Sequence, residues 1–358
     1  MKSKKLMAIF CCTAMITSLA AGCSNLSGKN QTETMAQTTS EENKKEAEAS
    51  TTEAKEQVFQ IDLATAYAAD APAGVALNQF VKEVSEKSNG TININLFTDG
   101  TLGSASDNYA SISSGDLDMT MAGLEGLDLY APEYTFLDAP FLIEDEDHLK
   151  ALLDSGIGDN LKKRYEDNGF VTLGWHFRDT RELASNKEIK SPADLSGLKL
   201  RLPGMTVYVD TWSALNVSST TVAMSELYTA LQTKVAEACE GGYEQMNTLK
   251  LYEVQKYLEE TDHVFEFVGL YINKKLYDSM SDNQKKILDE CAKENLTYAD
   301  QLAKDNRDKY KQACLDGGMT AVSINREEFR EALKDFYYDQ FTDKWNVATY
   351  DDVMSFAN

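Results

Sequence analysis

Residues 281–318 read SDNQKKILDECAKENLTYADQLAKDNRDKYKQACLDGG. Ser281, with Gln284 three residues on, forms a capping box, no proline interrupts the run, and Gly317-Gly318 closes it, so a helix is predicted over 281–316. At 1.5 Å per residue it spans roughly 50 Å, more than a single medium-sized lobe needs. A helix of that length is expected to run across two lobes.

Two α/β units precede it. In the first, Phe59, Ile61 and Leu63 alternate, Leu77, Phe80, Val81 and Val84 recur at helical spacing, and Ile92, Ile94 and Leu96 alternate again. A helix after GSAS then leads to a strand through Leu117, Met119 and Met121. The second unit starts at GFVTLGWHF (169–177). It continues through GLKLRLPG (197–204), helices at about 206–215 and 225–233, and the strand-like KVAEACEGG (234–242). Strands alternating with amphipathic helices pair in parallel, so the fold class is α/β, and two such units without a flexible linker make two lobes.

The N-terminus reads MKSKKLMAIFCCTAMITSLAAGC. Lysines 2, 4 and 5 precede a short apolar run that ends in Leu19-Ala20-Ala21-Gly22-Cys23. This is the pattern of a secretory signal over 1–22 whose lipobox cysteine, Cys23, becomes a lipidated mature N-terminus. Residues 23–57 then carry almost no large apolar side chain and read as a solvated tether. The formal net charge is -23, from 58 acidic and 35 basic residues. The tether's small acidic excess cancels against the signal lysines, so the whole deficit falls on the folded body. Such a body repels a phosphate backbone, and nucleic acid is excluded as a partner.

Three cysteines remain past the signal and Cys23: Cys239, Cys291 and Cys314. They have no metal-ligand spacing; Cys291 with Cys314 is the one pairing considered, and buried apolar thiols are the main expectation. His148, His176 and His263 form no paired-ligand motif, and no nucleophile elbow, Walker lysine loop or dinucleotide fingerprint occurs. Neither an enzyme nor a cofactor is expected.

In this acidic body, arginines at strand ends stand out. Arg201 ends LKLRLP, and Arg178 and Arg181 follow VTLGWHF. Ligands of open α/β sheets bind beyond the carboxyl ends of strands, and the guanidinium fork matches a carboxylate. From spacing alone, an ion pair with one of the many acids accounts for Arg201 as well as a ligand does. Tyr208 and Trp212 stand four apart on the helix after Arg201. One is expected to face the cleft and the other the core, with Tyr208 the binding candidate.

The blocks TRELASNKEIKSPADLSGLKLRLP (180–203), MSELYTALQTKVAEACEGG (224–242) and LYEVQKYLEETDH (251–263) closely resemble the solute-binding proteins of tripartite ATP-independent periplasmic (TRAP) transporters, DctP type. The resemblance covers about 58–350. It implies a two-lobed type II periplasmic-binding-protein fold with a hinge and one long helix bridging both lobes. Lobe I would be 58–178 plus about 264–305, and lobe II 179–263 plus about 306–358. It also implies that Arg201 forms the main salt bridge to a ligand carboxylate, that Arg181 assists, and that Glu240 holds an arginine in orientation. An asparagine of the family that contacts the carboxylate falls at Gly241, where water, Tyr243 or a backbone N–H would take over. Met224 replaces a common aromatic and gives a softer wall. Ala66, Ala105 and Gly123 stand at positions where polar residues contact sialic acid, which disfavours that ligand. The implied partners are a small organic acid and the TRAP membrane subunits, at the extracytoplasmic face of the membrane. A sensory lipoprotein that presents the ligand to a receptor kinase is the alternative.

Overall fold

Alternation along Phe59–Thr65 (β1) buries Ile61 and Leu63 completely and leaves Asp62 outside, as a half-covered strand requires. In the computed structural model, which describes residues 56–357 except 124 and the side chain of 225, β1 lies between two parallel neighbours, Ile92–Phe97 (β2) and Met119–Ala122 (β3). The signal, Cys23 and nearly all of the expected tether lie outside the described residues. At the start of the described chain, Glu56 accepts from Ser281 Oγ at 2.6 Å, beside the capped end of the long helix.

The second unit supplies Lys199–Leu202 (β5), flanked in parallel by Ser218–Thr221 (β6) and Ala238–Gly241 (β7). Two long antiparallel strands, Phe170–Ser185 (β4) and Tyr257–Asn273 (β8), join the units into one sheet ordered β2-β1-β3-β8-β4-β7-β5-β6. Thr320–Ser323 (β9) pairs alongside β8. The strand expected to end at 177 therefore runs on to Ser185, and Arg178 and Arg181 lie inside it rather than after it. The β4/β8 register shifts at Thr172/Gly174, Phe177/Asp179 and Arg181/Leu183, and each shift resets the two-residue alternation by which the continuation would have been read.

The long helix is Asp282–Asp316, with the Ser281–Gln284 capping box in place. Leu288, Cys291, Ala292 and Leu296 pack into the core of β1–β3 with Phe80 and Val84 from the helix Pro72–Lys87. At its other end, Cys314 packs into a separate core with Leu227, Cys239, Tyr243 and Met246. One helix thus closes the cores of both lobes. Cys291 and Cys314 lie about 35 Å apart along its axis, so they cannot pair; with Cys239 they are free and buried.

Candidate functional site

Alternation in β5 sends Leu200 and Leu202 into the larger core and Arg201 to the opposite face. Arg201 is 3 % exposed, and its Nε donates to the Val222 carbonyl at 2.8 Å. Among the described residues no carboxylate comes within 4.0 Å of its guanidinium. Burial pulls its pKa below the usual guanidinium range, and the more distant Glu240 offsets this only in part. A buried cation without a counter-ion is costly, and the arrangement leaves the guanidinium fork available to an anion.

Arg181 is placed differently. Its Nε and Nη2 donate to the two oxygens of Glu240 at 2.6 and 2.9 Å, and its Nη1 lies 3.4 Å from Glu266. Its guanidinium stands 5.4 Å from the Tyr208 ring centre, and the Tyr208 hydroxyl donates to Asp138 at 2.9 Å. Burial alone would push the Glu240 carboxyl up, but Arg181 and His263 hold it down to about 2. His263, whose pKa burial lowers, lies with Nε2 3.2 Å from Glu240 and Nδ1 2.8 Å from the Thr261 hydroxyl. Arg178 is also matched, by Glu266 at 3.1 Å and Glu244 at 3.5 Å, and lies 4.9 Å from the Tyr67 ring centre. These three arginines therefore divide into two, Arg178 and Arg181, with carboxylate partners and one, Arg201, with none within 4.0 Å among the described residues.

Of the residues singled out in the sequence, Arg181, Glu240 and Tyr208 form one buried cluster. Arg201 and Gly241 lie at the ends of neighbouring strands, and Met224 is 49 % exposed on the turn Met224–Glu226. Trp212 packs in the core against Phe141 and His263. Tyr243, one substitute considered for an amide at position 241, is turned away: its hydroxyl lies 3.5 Å from Glu260 and its ring against Arg307. Sequence reading missed Glu266, Glu244 and Asp138. The signal for Glu266 is a lone acid in the apolar strand VFEFVGLY; Glu244 and Asp138 carry none.

Two carboxyls on the long strands β4 and β8 titrate unusually. Burial pushes Asp179 up to about 6 and Glu259, whose Oε1 accepts from Ser185 Oγ at 2.7 Å, up to about 7. Both pKa values are raised on folding, so the native state holds these protons more tightly than the unfolded chain. Stability is then expected to decline as pH rises from about 4.5 through 7, by on the order of 3 kcal/mol for Glu259. Thermal melts of wild type and Glu259→Gln between pH 4.5 and 8 check this: the variant is expected to show the shallower decline, and parallel curves would contradict it.

Residues 63–344 match the model of the bacterial extracellular solute-binding proteins, family 7 (DctP). The chain is 28% identical over 269 residues to the 2,3-diketo-L-gulonate-binding periplasmic protein of Escherichia coli, covering 75% of this chain and 82% of that one. Among solved structures it resembles a TRAP periplasmic solute-binding protein of Haemophilus influenzae with bound L-gulonate, at 26% identity and a TM-score of 0.76, over 83% of this chain and 98% of that one. It also resembles one from Ochrobactrum anthropi whose C-terminus is bound in the ligand pocket, at 28% identity and a TM-score of 0.78, over 84% and 95%. With its two-lobed sheet and bridging helix, the chain belongs to the DctP family of TRAP solute-binding proteins.

Proposed function

We propose that this chain is a lipid-anchored receptor on the extracytoplasmic face of the membrane that captures an organic acid between its lobes and delivers it to TRAP membrane subunits for ion-gradient-driven uptake. The observation that carries the reading is Arg201, a buried guanidinium near the end of a parallel strand with no carboxylate within 4.0 Å among the described residues. The ligand carboxylate supplies the missing charge, and closure of the lobes, 58–178 with about 264–305 against 179–263 with about 306–358, removes water from the pair and strengthens it. Arg181 steadies the site through Glu240, Tyr208 shields that pair, and Met224 and Gly241 shape the wall. The acids named for relatives, 2,3-diketo-L-gulonate and L-gulonate, support a hydroxylated carboxylate as the ligand class.

Mass spectrometry of ligand released from the purified native protein tests this, with calorimetry on the acid found. A single small acid that rebinds is expected; a neutral or cationic ligand would overturn the reading. Labelling cells with an alkyne fatty acid tests the anchor. Wild type should be labelled and Cys23→Ser should not, and equal labelling would remove Cys23 from the account.

A further inference from the structure

Strands β5 and β7 are parallel neighbours with Arg201 opposite Cys239. Side chains repeat every second residue along a strand, so position 241 faces the same side as Arg201 and lies about 6.6 Å further along. The Arg201 side chain leans in that direction. Its Nε reaches the Val222 carbonyl, beyond Thr221, whose partner in β5 is Leu202. Guanidinium and the space over Gly241 thus meet at the same end of the sheet.

That space is filled. A Cβ at position 241 would stand 2.6 Å from Nε2, 2.8 Å from Cδ and 2.9 Å from Oε1 of Gln245, a residue on the helix Tyr243–Thr248. Gln245 is 7 % exposed, and its Nε2 has no hydrogen-bond partner among the described residues. Buried amide donors are nearly always satisfied, so an unmatched one at the same end of the sheet as a guanidinium that has no carboxylate within 4.0 Å among the described residues points to a shared acceptor. A carboxylate offers two oxygens with about four lone-pair sites, enough for the arginine fork and one further N–H.

We infer that Gln245 donates its side-chain amide to the same ligand carboxylate that Arg201 holds, and that glycine at 241 is what lets the amide reach it. The inference rests on the reading of Arg201 as the carboxylate clamp. It gives the glycine a purpose: any side chain at 241 evicts the Gln245 amide.

Calorimetry tests it on the intact folded chain, with the acid released from the wild-type protein as ligand and L-gulonate as reference probe. Gln245→Leu keeps the bulk and removes the amide, and is expected to bind about tenfold to a hundredfold more weakly with an unchanged melting temperature. Gly241→Ala is expected to weaken binding similarly, by displacing Gln245. The double variant Gly241→Asn/Gln245→Ala, which returns an amide to the vacated space from the strand side, should recover to within about fivefold of wild type. If Arg201→Ala loses binding while Gln245→Leu stays within about twofold of wild type, the role of Gln245 is overturned and the clamp stands. If Arg201→Ala also binds as wild type does, the clamp falls and this inference with it.

Discussion

Arg201→Ala should bind the ligand about two to three orders of magnitude more weakly than wild type, because truncating one partner of a desolvated charge pair costs about 2–5 kcal/mol. The unliganded variant should melt no lower than wild type. Arg201 is buried, has one backbone hydrogen bond and no carboxylate in reach among the described residues, so removing it relieves a desolvation cost without stranding a partner. Arg201→Lys is not expected to rescue binding, since an ammonium cannot reproduce the two parallel hydrogen bonds of the guanidinium fork. Calorimetry and thermal melts on the same preparations check both halves. A variant that binds normally, or one that unfolds, would place Arg201 in the framework instead of the site.

The second large effect falls on stability. Glu240→Ala should lower unfolding free energy by about 3–5 kcal/mol, because it strands a buried cation. Arg181 would keep only the weaker contact to Glu266 at 3.4 Å, and His263 would lose its Nε2 partner. Replacing both ends of the pair, Arg181→Met with Glu240→Leu, should recover most of the loss, since a buried ion pair is often matched by apolar side chains of similar size. The pair also sets an acid limit. The Glu240 pKa is depressed on folding to about 2, so its contribution is complete above about 4.5 and lost as pH falls toward 2. Denaturant melts of wild type, Arg181→Met, Glu240→Leu and the double variant give the coupling directly. Additive losses would show that the two side chains do not act as a unit.

The two arginines are thus expected to fail in opposite ways, Arg201 in binding and Arg181 in folding. That distinction was not legible in the sequence. Both arginines were, as basic residues near strand ends in an acidic chain, and the resemblance to TRAP solute-binding proteins put both on the ligand. Which one is neutralised depends on Glu240 and Glu266, brought beside Arg181 by β-pairing across 59 and 85 residues of chain. No local pattern encodes such a meeting. The long helix was legible because its signals are local: a capping box, an unbroken run and a glycine pair. β4 was legible only to Phe177, where a register shift breaks the alternation that identifies a strand. Gly241 stood out as a missing amide, yet the group in its place, Gln245, sits one helical turn on and is joined to it only by the turn that starts the helix at Tyr243.

The central claim, that Arg201 clamps a carboxylate, is tested most directly by titrating wild-type protein with the acid it releases and with the methyl ester of that acid. The ester keeps the shape and hydroxyls of the ligand but removes the charge and one acceptor oxygen. The account predicts that the ester binds at least about a hundredfold more weakly; equal affinity for acid and ester would contradict it.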